Sequence, residues 1–179
     1  VLRAHPCGLE SIEFMAQESH LDAEVDAWVD FIQNRYKSPE SLDNTLVLLP
    51  CSERKPYRLS KSHRKFIDAI GTTGCHEVMV TSPLGLVPRD LEDVWPAGFY
   101  DIPVTGNWTR DELERIDNMV QSLLRRHNYQ CVINHSGIDI NIDGIEVINT
   151  RQGESSGARN ALQRLKDAVV YCKQEFDLK

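Results

Sequence analysis

Between Leu21 and Tyr36 the apolar residues Val25, Trp28, Val29 and Ile32 return at helical spacing, with Asp22, Asp26 and Asp30 between them. That pattern predicts an amphipathic helix with an acidic outer face. Ser38-Pro39-Glu40-Ser41 breaks it. Thr45 to Leu49 is apolar on both faces, as in a strand buried within a parallel sheet. Ser60 is a good N-cap for a helix running to about Ile70, which Gly71-Thr72-Thr73-Gly74 ends. Glu77 to Thr81 predicts the next strand. From Ser82 to Trp108 no helical period is visible, and four of the eight prolines lie there. This stretch reads as a long irregular connection with a short strand near Tyr100 to Val104; such segments are usually functional.

Thr109-Arg110-Asp111-Glu112 is a capping box. The helix behind it puts Leu113, Ile116, Met119, Val120, Leu123 and Leu124 on one face and ends near His127. Gln130 to Asn134 is a further buried strand. Asp143-Gly144, set between Ile138–Ile142 and Ile145–Ile148, signals a hairpin. Ser155 or Ser156 opens the last helix, whose apolar stripe is Leu162, Leu165, Val169, Cys172 and Phe176. Strands alternating with helices define an α/β fold, doubly wound around a mainly parallel sheet, here with an added C-terminal hairpin. The expected division is an N-terminal helical segment over 1–43 and an α/β core over 44–179. Ligands of such sheets bind at the carboxyl ends of the strands. Four connections leave those ends: Pro50–Ser60, Ser82–Arg89, Asn134–Asp139 and Asn149–Gly157.

Charge is unevenly distributed. The chain of 179 residues has a net charge of −7, yet Arg54, Lys55, Arg58, Lys61, Arg64 and Lys65 occur together with no acid among them. They begin in the first of the four connections and continue into the helix after it, beside Cys51 and His63. An acidic protein that gathers its cations next to a thiol and an imidazole is set up for an anionic substrate. The remaining composition, 41% hydrophobic and 26% charged, is ordinary for a globular domain. No apolar run reaches the roughly 20 residues that span a bilayer, and no signal peptide is visible. The first residue is Val1 rather than Met, so a piece of a longer protein is expected. Cys7, Cys51, Cys75, Cys131 and Cys172 are odd in number and widely spaced, with no CxxC. Neither a disulfide framework nor a cysteine zinc site is expected, and a reducing cytoplasm fits. The histidines lack ligand spacing, so no metal is expected; with no P-loop and no GxGxxG, no nucleotide cofactor is expected either.

Pro50, Cys51, Lys55, Pro56, Tyr57, Ser60 and His63 form the pattern Pro-Cys, three residues, Lys-Pro-Tyr, two residues, Ser, two residues, His. That pattern resembles the signature of the archaeosine synthase family. The runs Thr81-Ser82-Pro83-Leu84-Gly85-Leu86-Val87-Pro88-Arg89-Asp90-Leu91-Glu92, Trp95-Pro96-Ala97 and Tyr100-Asp101-Ile102-Pro103-Val104-Thr105-Gly106 are similar to the same family. The resemblance covers about residues 45–150. It implies a core similar in fold to uracil-DNA glycosylases, with four parallel strands. It also implies an activity on tRNA carrying 7-cyano-7-deazaguanine in the D-loop, where an amino-acid amine is added to the nitrile on the way to archaeosine. Lysine or glutamine would be the donor, and a radical-SAM protein a further partner. Members of the family carry a transglycosylase-like region before this core and an RNA-binding PUA domain after it; neither is expected to fit within these 179 residues.

Under that resemblance a Cys51 thiolate attacks the nitrile to give a thioimide, which the amine displaces. The neighbouring cations would lower the pKa of Cys51. His63, in the first turn of a helix, would be neutral and able to carry protons, or would simply cap and pack. Lys55 would hold the substrate or protonate the developing nitrogen anion. Tyr57, Ser60, Ser82, Arg89, Asp101 and Asp139 are the candidates for binding the base and the donor, and Arg54, Arg58, Lys61, Arg64 and Lys65 for binding tRNA phosphates. Trp95 and Tyr100 are candidates for stacking on a base. The competing reading is a non-catalytic module that positions tRNA for chemistry performed elsewhere.

Overall fold

The computed structural model describes residues 10–42, 44–99, 108–140 and 142–176, with 10–21 described by backbone alone. Among the described residues, four helices and five strands follow in the order α1 (Glu10–Asn34), β1 (Thr45–Pro50), α2 (Lys61–Ile70), β2 (His76–Thr81), β3 (Gly85–Pro88), α3 (Arg110–Arg126), β4 (Cys131–Asn134), β5 (Glu146–Asn149) and α4 (Arg159–Phe176). They form one mixed sheet in the order β3-β2-β1-β4-β5. β2, β1, β4 and β5 are parallel, and β3 runs antiparallel at the β2 edge. The expected parallel arrangement of β1, β2 and β4 is therefore present. Five strands replace the expected four, and two sequence readings need correction.

The stretch after Ser82 is not irregular throughout. Gly85–Pro88 pairs with β2, with Thr81 opposite Gly85 and Val78 opposite Pro88. Gly85 has φ +76, and a Cβ there would run into Met119 Sδ, so the tight return needs glycine. The second correction concerns the hairpin. Gly144 does turn the chain, with φ +78. But β5 then pairs in parallel with β4, from Cys131 opposite Glu146 to Asn134 opposite Asn149. Ile138 packs into the core without joining a strand. The strand suggested near Tyr100 lies outside the described residues. Two helices also begin elsewhere: α1 at Glu10, well before Leu21, and α4 at Arg159, after a turn in which Ala158 N donates to the Ser155 carbonyl.

α2 and α4 pack together on one face of the sheet, and α1 and α3 on the other. The strands read as apolar on both faces because both faces are covered: Leu46, Val47, Leu48 and Leu49 of β1 are fully buried, as are Cys131, Val132 and Ile133 of β4. α1 adds Val25, Trp28 and Ile32 to the same core, and Tyr36, two residues beyond it, joins them. The Trp28 indole donates to the Leu86 carbonyl of β3 (3.0 Å), and Arg126 donates to the carbonyls of Ile32 and Gln33 at the end of α1, where the helix dipole favours a cation. Both predicted caps form: Ser60 accepts from His63 N, and Thr109 and Glu112 cap each other reciprocally. Cys131 of β4 and Cys172 of α4 are joined as a disulfide, their Cα atoms 6.4 Å apart. Their wide separation in sequence concealed that helix–strand packing makes them neighbours.

The chain leaves β1 toward β2 on one side and leaves β4 toward β5 on the other. The order reverses between β1 and β4, and a crevice at such a reversal is where parallel sheets bind ligands. Cys51 follows β1 at that point.

Candidate active site

Cys51 is half-buried and outside any disulfide. It is the first residue beyond β1, whose Pro50 lies opposite Val80 of β2. Thr81, one residue further along β2, therefore comes up beside it. Burial pushes the Cys51 thiol up from its ordinary value. The Thr81 hydroxyl, the backbone amide and Lys55 pull it only part of the way back. This reverses the sequence expectation of a lowered value: most of the nearby cations point to solvent, and the dry surroundings of the sulfur dominate.

Tyr57 follows in a short 3-10 turn (Tyr57–Leu59) and is completely buried. Its hydroxyl makes no hydrogen bond of good geometry; the Thr81 hydroxyl approaches it and favours its ionised form, and Cys51, Glu92 and Arg89 act on it by charge. Burial raises its pKa further, so it stays a protonated donor. Lys55 places its Nζ 6.0 Å from the Tyr57 ring centroid.

His63 is fully buried and tightly held. Its Nε2 lies 2.9 Å from the Pro50 carbonyl, which can only accept, so Nε2 carries the hydrogen. Its Nδ1 accepts from Arg89 Nη2 at 3.0 Å. Burial first, and the Arg89 charge second, lower the pKa of His63 to about 3. It is a neutral imidazole that fixes the carbonyl immediately before Cys51, and both ring nitrogens are occupied. The rings of Tyr57, His63, Phe66 and His135 succeed one another at 5.3, 5.1 and 5.1 Å.

Arg89 is committed to the protein itself. Besides His63 it donates to Glu77 through Nε (3.0 Å) and Nη2 (2.6 Å), and to Glu92 through Nη1 (3.2 Å). Glu92 also accepts from the Arg58 amide (3.0 Å) and from Arg58 Nη1 (3.1 Å), and Arg58 reaches Asp93 at 2.6 Å. Ser82 donates to Glu112 of the α3 capping box, and Ser60 to His63 is a helix cap. The proposed binding residues Arg89, Ser82 and Ser60 thus all have internal partners. Asp139 is exposed on the loop after β4. Asp101 lies outside the described residues. Arg54, Arg58, Lys61, Arg64 and Lys65 are all exposed.

Three residues with a part in this region went unassigned at the sequence level: Thr81, Glu77 and Glu92. Thr81 had a signal, since it ends a predicted strand adjacent to the one that delivers Cys51. Glu92 stands three residues after Arg89, the spacing of an ion pair across one helical turn. Glu77 had no signal, because its partner is brought to it only by the β2–β3 pairing.

The buried histidines make acid stability predictable. The pKa of His76 is also lowered to about 3, by burial and then by His127; His76 bridges the hydroxyls of Tyr36 and Tyr129. Both His63 and His76 bind protons more weakly folded than unfolded. Their contribution is complete above about pH 6.5 and is lost progressively as pH falls toward 3. At pH 5.5 the two together should cost about 3 kcal/mol relative to neutral pH. Urea unfolding at pH 7.5 and 5.5 checks this: His76→Gln should show a visibly smaller acid-induced drop in midpoint than the parent.

The fold, with Cys51 at the reversal of strand order, places this chain in a defined class of α/β domain. It belongs to the family described as "Domain of unknown function (DUF5591)", whose model matches residues 25–169. Its relatives include proteins named archaeosine synthase, in agreement with the resemblance read from the motif. The archaeosine synthase subunit alpha of Methanosarcina acetivorans is 44% identical over 148 residues, 77% of this chain and 23% of that protein. The subunit of the same name in Thermoplasma acidophilum is 41% identical over 75% of this chain and 28% of that protein. The archaeosine synthase of Haloferax volcanii is 41% identical over 67% of this chain and 20% of that protein. The chain thus spans about a quarter of the length of these relatives. Among solved structures, that of AF0587, a protein of unknown function, superposes with a TM-score of 0.60 at 21% identity, over 79% of this chain and 49% of that one. This similarity supports the fold alone. Among the described residues, no helix is long and apolar enough to cross a membrane, and no group of three or more His, Cys, Asp or Glu side chains is placed to hold a metal.

Proposed function

We propose that this chain is the nitrile-amidating core of an archaeosine synthase acting on tRNA that carries 7-cyano-7-deazaguanine. The observation that carries the reading is the position of Cys51: a half-exposed thiol at the carboxyl end of the central strand, at the reversal of strand order, bordered by a buried phenol and by exposed cations. The sulfur adds to the nitrile carbon, one C–N π bond opens onto nitrogen, and the resulting thioimide is displaced by the amine of lysine or glutamine. The sulfur leaves as it arrived, and the product is an amidine. Lys55 holds the substrate or supplies a proton to nitrogen. His63 acts through the Pro50 carbonyl, as a positioning residue. The radical-SAM protein and the remaining domains of the longer relatives are its proposed partners.

The test is to incubate the intact protein with cyano-deazaguanine tRNA and candidate amino acids, and to weigh the nucleosides by mass spectrometry. A mass gain equal to the whole donor on the modified base supports the reading. Tight tRNA binding with no such product would favour a tRNA-positioning module.

Ion pairing separates the proposed tRNA-binding cations. Lys61, Arg64 and Lys65 project from the first turns of α2, whereas Arg58 is held by Glu92 and Asp93. Neutralising Lys61, Arg64 and Lys65 together should weaken tRNA binding and flatten the dependence of log K on log salt, by roughly 0.7 to 0.9 for each phosphate left without its cation. Arg58→Gln should change that slope less. Filter binding across a salt series checks both.

A further inference from the structure

The Tyr57 hydroxyl is a puzzle in the resting site. It is a strong donor, fully buried and without an acceptor, and such groups are rare because they forfeit hydration without return. The groups around it suggest what would satisfy it. Cys51 and Tyr57 lie on one connection, and Thr81 reaches them from the end of the adjacent strand through the Pro50–Val80 register. Thr81 is itself buried, and the bond from its hydroxyl to the Ser82 carbonyl is long at 3.4 Å. The Thr81 hydroxyl thus stands between the sulfur and the Tyr57 hydroxyl, close to both, and the Tyr57 hydrogen goes unused while that sulfur is a neutral thiol.

We propose that Thr81 and Tyr57 form a two-hydroxyl cradle that stabilises Cys51 as a thiolate. A thiol is a poor acceptor and a thiolate a good one. The donors therefore gain most at the moment the sulfur becomes charged, and this difference is what activates a nucleophile. Burial alone would leave Cys51 inert, and the cradle offsets that burial. The electrostatics agree: Thr81 favours the anionic form of both Cys51 and Tyr57, while the burial of Tyr57 keeps its own proton in place. The other charged groups facing the cluster are Lys55 on the Cys51 side and the Arg89–Glu92 pair behind Tyr57. Thr81 and Tyr57 are positioning residues here, acting on substrate through the sulfur. The cradle deepens the proposed function, since it concerns the same nucleophile, but its test does not depend on nitrile chemistry.

That test is the pH dependence of Cys51 alkylation by iodoacetamide in the intact protein, read on the Cys51 peptide by mass spectrometry so that Cys75 does not contribute. Thr81→Val and Tyr57→Phe should each raise the midpoint by about one pH unit and slow alkylation about tenfold at neutral pH. Thr81→Ser, which keeps the hydroxyl, should match the parent. In single turnover with cyano-deazaguanine tRNA, Thr81→Val should lower the rate at saturation and leave KM within about twofold. A midpoint unchanged in both Thr81→Val and Tyr57→Phe would overturn the cradle. So would Thr81→Ser behaving like Thr81→Val, because the hydroxyl would then be irrelevant. If the parent protein forms no amidine at all, the proposed function fails, while the alkylation series still decides the cradle.

Discussion

Cys51→Ser is expected to lower single-turnover amidine formation by about three orders of magnitude or more at saturating tRNA, with tRNA affinity almost unchanged. The substitution is nearly isosteric and lies at a half-buried position, so the cation-bearing α2 start is undisturbed. What changes is the nucleophile: a hydroxyl ionises far less readily than a thiol at neutral pH, and the desolvation that already raises the Cys51 pKa would penalise an alkoxide more. The measurement is single-turnover formation of the modified nucleoside beside filter binding of the same tRNA. Loss of binding together with turnover would assign Cys51 a structural part. Normal turnover would remove the thioimide and leave direct attack by the donor amine, with Lys55 as the acid.

The parts of this site that are legible in the sequence are those set by local rules. Thr45–Leu49 declares itself a buried strand because each face of β1 meets a helical layer. The caps at Ser60 and Thr109 are visible because an N-cap is satisfied within three residues. The hidden parts depend on pairing at a distance. Gly85–Pro88 is too short, and too close to prolines, to announce a strand, and becomes one only against β2. Asp143-Gly144 does signal a turn, but the outcome of that turn is decided by an open edge on β4 that local sequence does not describe. The ionisation of the site is hidden for the same reason. His63 is neutral largely because it is buried and because Arg89, 26 residues later, occupies its Nδ1. The density of cations around Cys51 points to a lowered thiol pKa, whereas most of their side chains turn outward and burial prevails.

Glu92→Gln is expected to produce the largest loss of stability among substitutions outside the apolar core. The Glu92 side chain is only 2% exposed and takes up Arg89 Nη1, Arg58 Nη1 and the Arg58 amide. Glutamine preserves the shape but replaces one acceptor oxygen with an amide donor that faces a guanidinium. It also leaves the positive charge of Arg89, whose side chain is 19% exposed, opposite one carboxylate where there were two. Breaking a buried pair by removing one partner costs about 3–5 kcal/mol. Glu77 still holds Arg89, so the low end, about 3 kcal/mol, is expected. With a urea m-value of roughly 2 kcal/mol/M, this moves the unfolding midpoint down by roughly 1.5 M at constant slope. Asp93→Asn, which removes only the exposed end of the Arg58 contact, should leave the midpoint nearly where it was. The network also joins the 3-10 turn after Pro56 to the Arg89–Leu91 turn and, through His63, to the Pro50 carbonyl. Glu92→Gln should therefore loosen the Cys51 connection before the rest of the domain unfolds. Hydrogen exchange at sub-denaturing urea checks this: amides of 57–63 should exchange faster than those of β4. Equal acceleration in both would mean that Glu92 supports only global stability and has no local hold on the site.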